Sequence, residues 1–282
     1  MLCYAISHYR GPPEGRVRFT QAMNAISEAI YEIEAIPTED EAAWSDLSVQ
    51  FQTCRPIDST NMDDIRSFAE LLIDNLAGVV QYNGRMDLDI TAVCDIMRDG
   101  EGSALERFAL VNTVSLDANQ AECLDHEFSS FLALLTDISW SGPGVGWRQW
   151  FWQTCTEFGW YQTSNQPDNA FGSLLNLEFF ESWCQQAYGD AFTHARLEQE
   201  MIDTNTEYGG FTPDVHNVVF VHGTIDPWHA MGVLEDLSDT ATAIYIEGTS
   251  HCADMYGDSP GDSEDLLDAR LKIKEIVLNW VL

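Results

Sequence analysis

Two stretches decide the fold: Asn217-Val218-Val219-Phe220-Val221-His222-Gly223-Thr224-Ile225-Asp226-Pro227-Trp228, and then Thr242-Ala243-Ile244-Tyr245-Ile246-Glu247-Gly248-Thr249-Ser250-His251. Each opens with an apolar, β-branched run of buried-strand length, and each run is bounded by a glycine, Gly223 or Gly248. Between them, Ala230 to Asp239 is expected to form a short helix. After them, Leu267, Leu271, Ile273, Ile276, Val277, Trp280 and Val281 mark an amphipathic C-terminal helix. Strand, helix, strand, helix with no hairpin signal predicts parallel strands in an α/β sheet.

In open α/β sheets, functional groups gather in the loops past the carboxyl ends of the strands. Asp226 stands in the first such loop and His251 in the second. Taken singly, an Asp before Pro is ordinarily a turn residue, and a lone His near Gly an ordinary loop residue. Their placement on consecutive strand ends is what α/β-hydrolases use to deliver the last two members of a Ser-Asp-His triad. That chemistry needs a buried carboxylate to orient the imidazole and a histidine to take a proton from the nucleophile. A metal reading of His251-Cys252-x-Asp254 is weaker, because a fourth ligand and a familiar spacing are missing. Cys252 as nucleophile is weak too, since adjacent loop side chains rarely face each other. No cofactor is expected.

Upstream the texture is helical. Phe19, Met23, Ile26, Ile30 and Ile33 recur at helical spacing, as do Ile65, Phe68, Leu72, Leu76 and Val79. Ser103 to Val114 and Asp125 to Ser139 repeat the pattern, with breakers at Arg55-Pro56, Asn83-Gly84 and Asp99-Gly100-Glu101-Gly102. A bundle of amphipathic helices is expected there. The stretch Ser141-Gly142-Pro143-Gly144-Val145-Gly146 reads as a hinge, which divides the chain into residues 1–145, helical, and 146–282, the sheet part. An aromatic-rich segment, Trp147 to Tyr161, follows the hinge.

The chain has 282 residues, 45% of them hydrophobic and 11% aromatic, enough for a full core and too apolar for a disordered tail. With 46 acidic against 13 basic residues the formal charge is −33, so nucleic acid and anionic membrane surfaces are poor partners. No apolar run approaches the roughly 20 residues that span a bilayer. Leu2 to Ser7 is shorter than the apolar core of a signal peptide, so the start is not expected to be one. Seven cysteines without a CxxC pair argue against zinc fingers and thioredoxin-like motifs, and fit an exported enzyme with a few long-range disulfides.

Asp226-Pro227-Trp228 after the first strand, with Gly248-Thr249-Ser250-His251-Cys252-Ala253-Asp254-Met255 after the second, resembles the serine peptidase family of lysosomal Pro-X carboxypeptidase and dipeptidyl peptidase II. Val79-Val80-Gln81-Tyr82-Asn83-Gly84, Arg148 to Gly159 and Tyr208-Gly209-Gly210 carry the same resemblance, which runs from about residue 20 to the end. It implies an α/β-hydrolase sheet with an inserted helical cap, Asp226 as triad acid and His251 as triad base. It also implies disulfides Cys54–Cys123 and Cys155–Cys184, with loop-closure stabilisation of at most about 4.4 and 3.6 kcal/mol. Trp228 would help wall a proline pocket. Peptides with proline near a terminus are the implied substrates, cut as by a carboxypeptidase or dipeptidyl peptidase, in an endolysosomal or secreted setting. A homodimer is left open.

The departures from the family matter as much. Its nucleophile stands in a Gly-x-Ser-x-Gly elbow upstream of the cap, and the expectation is that this pattern is missing here. Ser141 is flanked by Ser139 and Pro143, and Ser250 has Gly248 but then Cys252. The sheet is accordingly expected to be incomplete, without the N-terminal strands and the elbow, and the chain a fragment or an inactive form. The alternative is a non-catalytic binding protein built on the helical cap; an esterase or lipase of the same fold has no support from Asp-Pro-Trp. Cysteines are lost near Ala22, the expected mate of Cys94, and at Ser164, while His222 replaces an asparagine. The pairing of Cys3, Cys94 and Cys252 is left open.

Overall fold

The computed structural model describes residues 13–85, 88–167 and 169–282, with side chains from Phe19 onward. Leu2–Ser7, weighed above as a leader, and Cys3 lie outside these residues. Two compact units emerge. Arg18–Asn75 with Ala92–Glu207 form a helical unit, and Leu76–Thr91 with Tyr208–Leu282 form a unit around the sheet. No described helix is long and apolar enough to cross a membrane.

The helical unit follows the periodicities. Its helices are α1 (Pro13–Glu34), α2 (Glu41–Gln50), α3 (Met62–Gln81), α4 (Ile90–Asp99), α5 (Ala104–Ala118), α6 (Phe128–Thr136), α7 (Trp147–Gln153), α8 (Leu177–Tyr188) and α9 (His194–Tyr208). The last turn of α3, the first of α4 and the end of α9 are counted with the sheet unit. Local chemistry sets several starts. Asp40 caps α2, and Ser103 with Glu106 forms a reciprocal capping box at α5. The core centres on Phe51, edge-on to Phe68 at 5.4 Å and to Phe108 at 6.0 Å.

A buried polar chain threads this core. The Ser115 hydroxyl donates to Asn75 Oδ1 (2.9 Å), the Asn75 amide to Asn112 Oδ1 (3.2 Å), and the Asn112 amide to the Phe51 carbonyl (2.8 Å). Asn112 is only 1% exposed, so its bonds to Asn75 and to the Phe51 carbonyl stand in for water that cannot reach its amide. The disulfide Cys54–Cys123 lies beside it, where Thr53 and Leu124 form a parallel bridge. A second disulfide, Cys155–Cys184, ties the short π-helical turn Thr154–Phe158 to α8. Burial pushes the hydroxyl of Tyr161, which sits against both sulfurs, up to about 12.

A division at residue 145 does not match these units, because the helical one continues to Glu207. The reason is aromatic packing. Phe151 of α7 lies 5.2 Å from Phe131 of α6 and 5.2 Å from Trp183 of α8, so the Trp147–Tyr161 segment belongs with the helices. The glycine stretch before it is a packed turn. A Cβ at Gly144 would strike the Leu134 carbonyl, and Gly146 at φ 92° provides the left-handed backbone from which α7 starts.

In the sheet unit, β1 (Val218–Gly223) and β2 (Ala241–Ile246) pair in parallel, Val218 opposite Ala241 through Gly223 opposite Ile246. The C-terminal helix α10 (Glu264–Val281), capped by Ser263, covers one face. Leu266, Ala269, Ile273 and Ile276 recur along one stripe of it and pack on Val219, Val221, Ile244 and Ile246. The expected helix Ala230–Asp239 does not form. A single 3₁₀ turn, Pro227–Met231, ends at Gly232, and Asp236 turns its carboxylate to the Ala243 N–H instead. Polar side chains that satisfy nearby backbone compete with helix in this way.

Asn112→Ala and Asn75→Ala should each cost about 1–3 kcal/mol, because each strands a buried partner. The double variant should cost less than the sum, since the bond between the two amides is counted twice. Urea unfolding of the four proteins of this cycle is the check.

Candidate active site

The site is built from the two strand ends and the segment at the end of α3, all within the sheet unit. Gly223 terminates β1 where a Cβ would run into the Thr249 carbonyl, so only glycine lets the two loops close. They are then laced together. Thr224 N–H donates to the Ile246 carbonyl (3.0 Å), Ile225 N–H to the Thr249 carbonyl (3.0 Å), and Gly248 N–H to the Thr224 hydroxyl (2.8 Å).

This lacing brings the sequence-predicted pair together. Asp226 Oδ2 lies 2.9 Å from His251 Nδ1, within the ordinary hydrogen-bond range of about 2.6–3.2 Å. The other carboxylate oxygen, Oδ1, accepts the Trp228 N–H at 2.9 Å. Asp226 is 4% exposed, while the His251 side chain keeps 31% of its surface. The carboxylate is sealed and the imidazole remains reachable. Nε2 of His251, the nitrogen away from the carboxylate, has no hydrogen bond among the described residues. Such an arrangement fixes the imidazole's tautomer and leaves one nitrogen to exchange a proton.

The surroundings hold the pair on several sides. Trp228 stands 6.4 Å from the imidazole by ring centroids, and Tyr82 approaches it edge-on at 6.3 Å. Buried His229 sends Nδ1 to the Asp226 carbonyl at 2.5 Å. The His251 N–H donates to the Gln81 carbonyl (2.9 Å), and the Ser250 hydroxyl to the Asn83 carbonyl (3.1 Å). Gln81, Tyr82 and Asn83 carried a resemblance in the sequence but no role; their contacts span more than 140 positions, which no local pattern reports. Cys252 adopts a left-handed conformation (φ 53°, ψ 27°) as the chain leaves His251. Burial, and then the Asp226 and Asp254 carboxylates, push its thiol above the usual range, which suits a resting thiol rather than a nucleophile.

The Gly-x-Ser-x-Gly expectation needs a correction. Gly257-Asp258-Ser259-Pro260-Gly261 satisfies the spacing by letter. Its structure is not that of an elbow. Ser259 is exposed in the loop between the short 3₁₀ turn Ala253–Met255 and α10, with no strand leading into it, and its N–H is taken by the Asp262 carboxylate at 2.9 Å. An elbow places its serine on a sharp strand-to-helix turn, ahead of the acid and base in chain order. Neither condition holds for Ser259.

Hydrolase-type constellations deliver their later two members, an acid and a histidine, from the ends of consecutive parallel strands, and Asp226 and His251 stand in that arrangement. The sequence profile of the serine carboxypeptidase S28 family matches residues 16–273, and the chain belongs to that family. It is 31% identical over 268 residues to the thymus-specific serine protease of Mus musculus, covering 93% of this chain and 52% of that protein. The Homo sapiens protein of the same name is also 31% identical over 268 residues, covering 91% and 51%. Similarity to the lysosomal Pro-X carboxypeptidase of Mus musculus is 28% over 165 residues, 58% of this chain and 32% of that one. The chain thus spans about half the length of the two thymus-specific relatives.

His222, at the end of β1, is held below its ordinary value of 6.5 by burial, with the Asp226 carboxylate pulling the other way. Unfolding exposes an imidazole that binds protons more readily, so this residue's contribution is intact at neutral pH. It is lost as the pH falls through about 6.5 toward the lower folded value. His222→Asn should therefore show a smaller loss of stability than the parent between pH 7 and 5, measured by denaturant unfolding at each pH.

Proposed function

We propose that Asp226 and His251 are the acid and base of a serine peptidase triad acting on peptides with proline near a terminus, as a carboxypeptidase or a dipeptidyl peptidase. The single observation that carries this reading is the 2.9 Å bond between a sealed Asp226 carboxylate and an accessible His251 imidazole at adjacent strand ends. Family membership supports the proteolytic chemistry, and a relative named lysosomal Pro-X carboxypeptidase supports proline as the recognised residue. In this reading His251 Nε2 receives the proton of the attacking serine and returns it to the leaving amine, while Asp226 stabilises the imidazolium. Trp228 walls the proline pocket.

The sheet unit is the C-terminal portion of an α/β-hydrolase domain and the helical unit its cap. The two disulfides and the lysosomal relative favour an endolysosomal or secreted setting. None of the serines among the described residues occupies an elbow, so these residues supply acid and base without the nucleophile. Loss of a triad nucleophile costs about 10⁶ in rate, because the members act as a unit.

The 282-residue protein is therefore expected to leave proline-containing peptides uncut above background, and a fluorophosphonate probe should leave it unlabelled by intact-mass measurement. Stoichiometric labelling of one serine, Ser259 included, would overturn the assignment of a missing nucleophile.

A further inference from the structure

We propose that Gln81 is a positioning residue of the Asp226–His251 pair, one residue that grips the base loop with its backbone and the acid loop with its side chain. The proposal rests on the reading of that pair as triad acid and base. Gln81 is the last residue of α3, where helix carbonyls have no partner along the chain. Its carbonyl accepts the backbone N–H of His251 at 2.9 Å. Its side-chain Oε1 accepts the indole N–H of Trp228 at 2.8 Å. Trp228 is two residues past Asp226, and its own backbone N–H is bound to the Asp226 carboxylate.

The two grips close a ring of contacts: Gln81 to His251, His251 to Asp226, Asp226 to Trp228, and Trp228 back to Gln81. An indole nitrogen can only donate, so the amide must present its oxygen and its orientation is determined. The anchor itself is firm. Tyr82 N–H bonds back to the Gly78 carbonyl (2.9 Å), Arg85 N–H to the Tyr82 carbonyl (2.9 Å), and Asn83 Oδ1 caps α4 through the Ile90 N–H (3.0 Å). Ser250, the residue before His251, is tied to Asn83 as well. Gln81 touches no reacting atom. It holds the spacing of two loops that do.

The test uses the 282-residue protein with ¹⁵N-labelled Trp and His. In the parent, the His251 ring Nδ1–H should give a low-field, exchange-protected signal that disappears in Asp226→Ala. Trp228→Phe identifies the Trp228 indole signal. Gln81→Met keeps the side-chain length but removes the acceptor. It should speed exchange of the Trp228 indole N–H and of the His251 ring N–H by about tenfold each, the order expected for losing one net hydrogen bond. Gln81→Glu, which restores an acceptor oxygen, should return both to near the parent rate at neutral pH. Should the methionine variant lose its fold, Gln81→Asn, which withdraws the amide by one methylene, carries the same two expected rises. Unchanged rates, or a faster indole with an unmoved His251 ring proton, would overturn the proposal. A low-field His251 signal that survives Asp226→Ala would instead show that the acid–base reading has failed.

Discussion

The absence of a side chain at Gly223 is the constraint on which the site depends. Any Cβ there would occupy the space of the Thr249 carbonyl, and the loops after β1 and β2 could not be laced. With them apart, Ile225 would lose its bond to Thr249, and Asp226 would no longer lie 2.9 Å from His251. Parallel pairing brings the strand ends to one edge; the glycine turns that nearness into contact. The cost is an entropic one of about 0.5–1 kcal/mol relative to alanine, small against the several hydrogen bonds it permits.

The Asp226–His251 bond has a structural role whatever its chemistry. A carboxylate this buried needs partners, and Asp226 has two, the His251 ring and the Trp228 backbone N–H. Removing the imidazole would leave a buried charge with half its satisfaction. The pair is therefore held by folding forces whether or not a nucleophile stands beside it. For the same reason its mere presence says less about turnover than the exposure difference between its members. A carboxylate that only stabilised the loop would not require a partner with a third of its side chain open to solvent.

What could be read from the sequence follows the range of the forces involved. The strands were legible because β-branched runs of fixed length bounded by glycine leave few alternatives, and Asp226 and His251 were legible because the two loops repeat one plan. The helix expected over Ala230–Asp239 failed where apolar spacing was outweighed by Gly232 and by Asp236 bonding to the Ala243 N–H. The division at residue 145 differs from the compact units because glycine and proline suggest a hinge, while the aromatic rings on either side of them pack together. Ser259 shows the converse. A pentapeptide can satisfy a motif by letter and lack the strand and helix that give the motif its meaning.

Gln81 lies beyond all of these signals. Its partners are 147 positions away at Trp228 and further still at His251, and its side chain lies on no periodic face that would mark it. Only the sheet's parallel order, with α3 ending beside both loops, makes one residue answerable to two of them. A helix end is well suited to that task, since its last carbonyls seek donors that the helix cannot supply. Here a donor is the backbone N–H of His251, so satisfying the helix terminus and fixing the loop that carries this histidine become the same interaction.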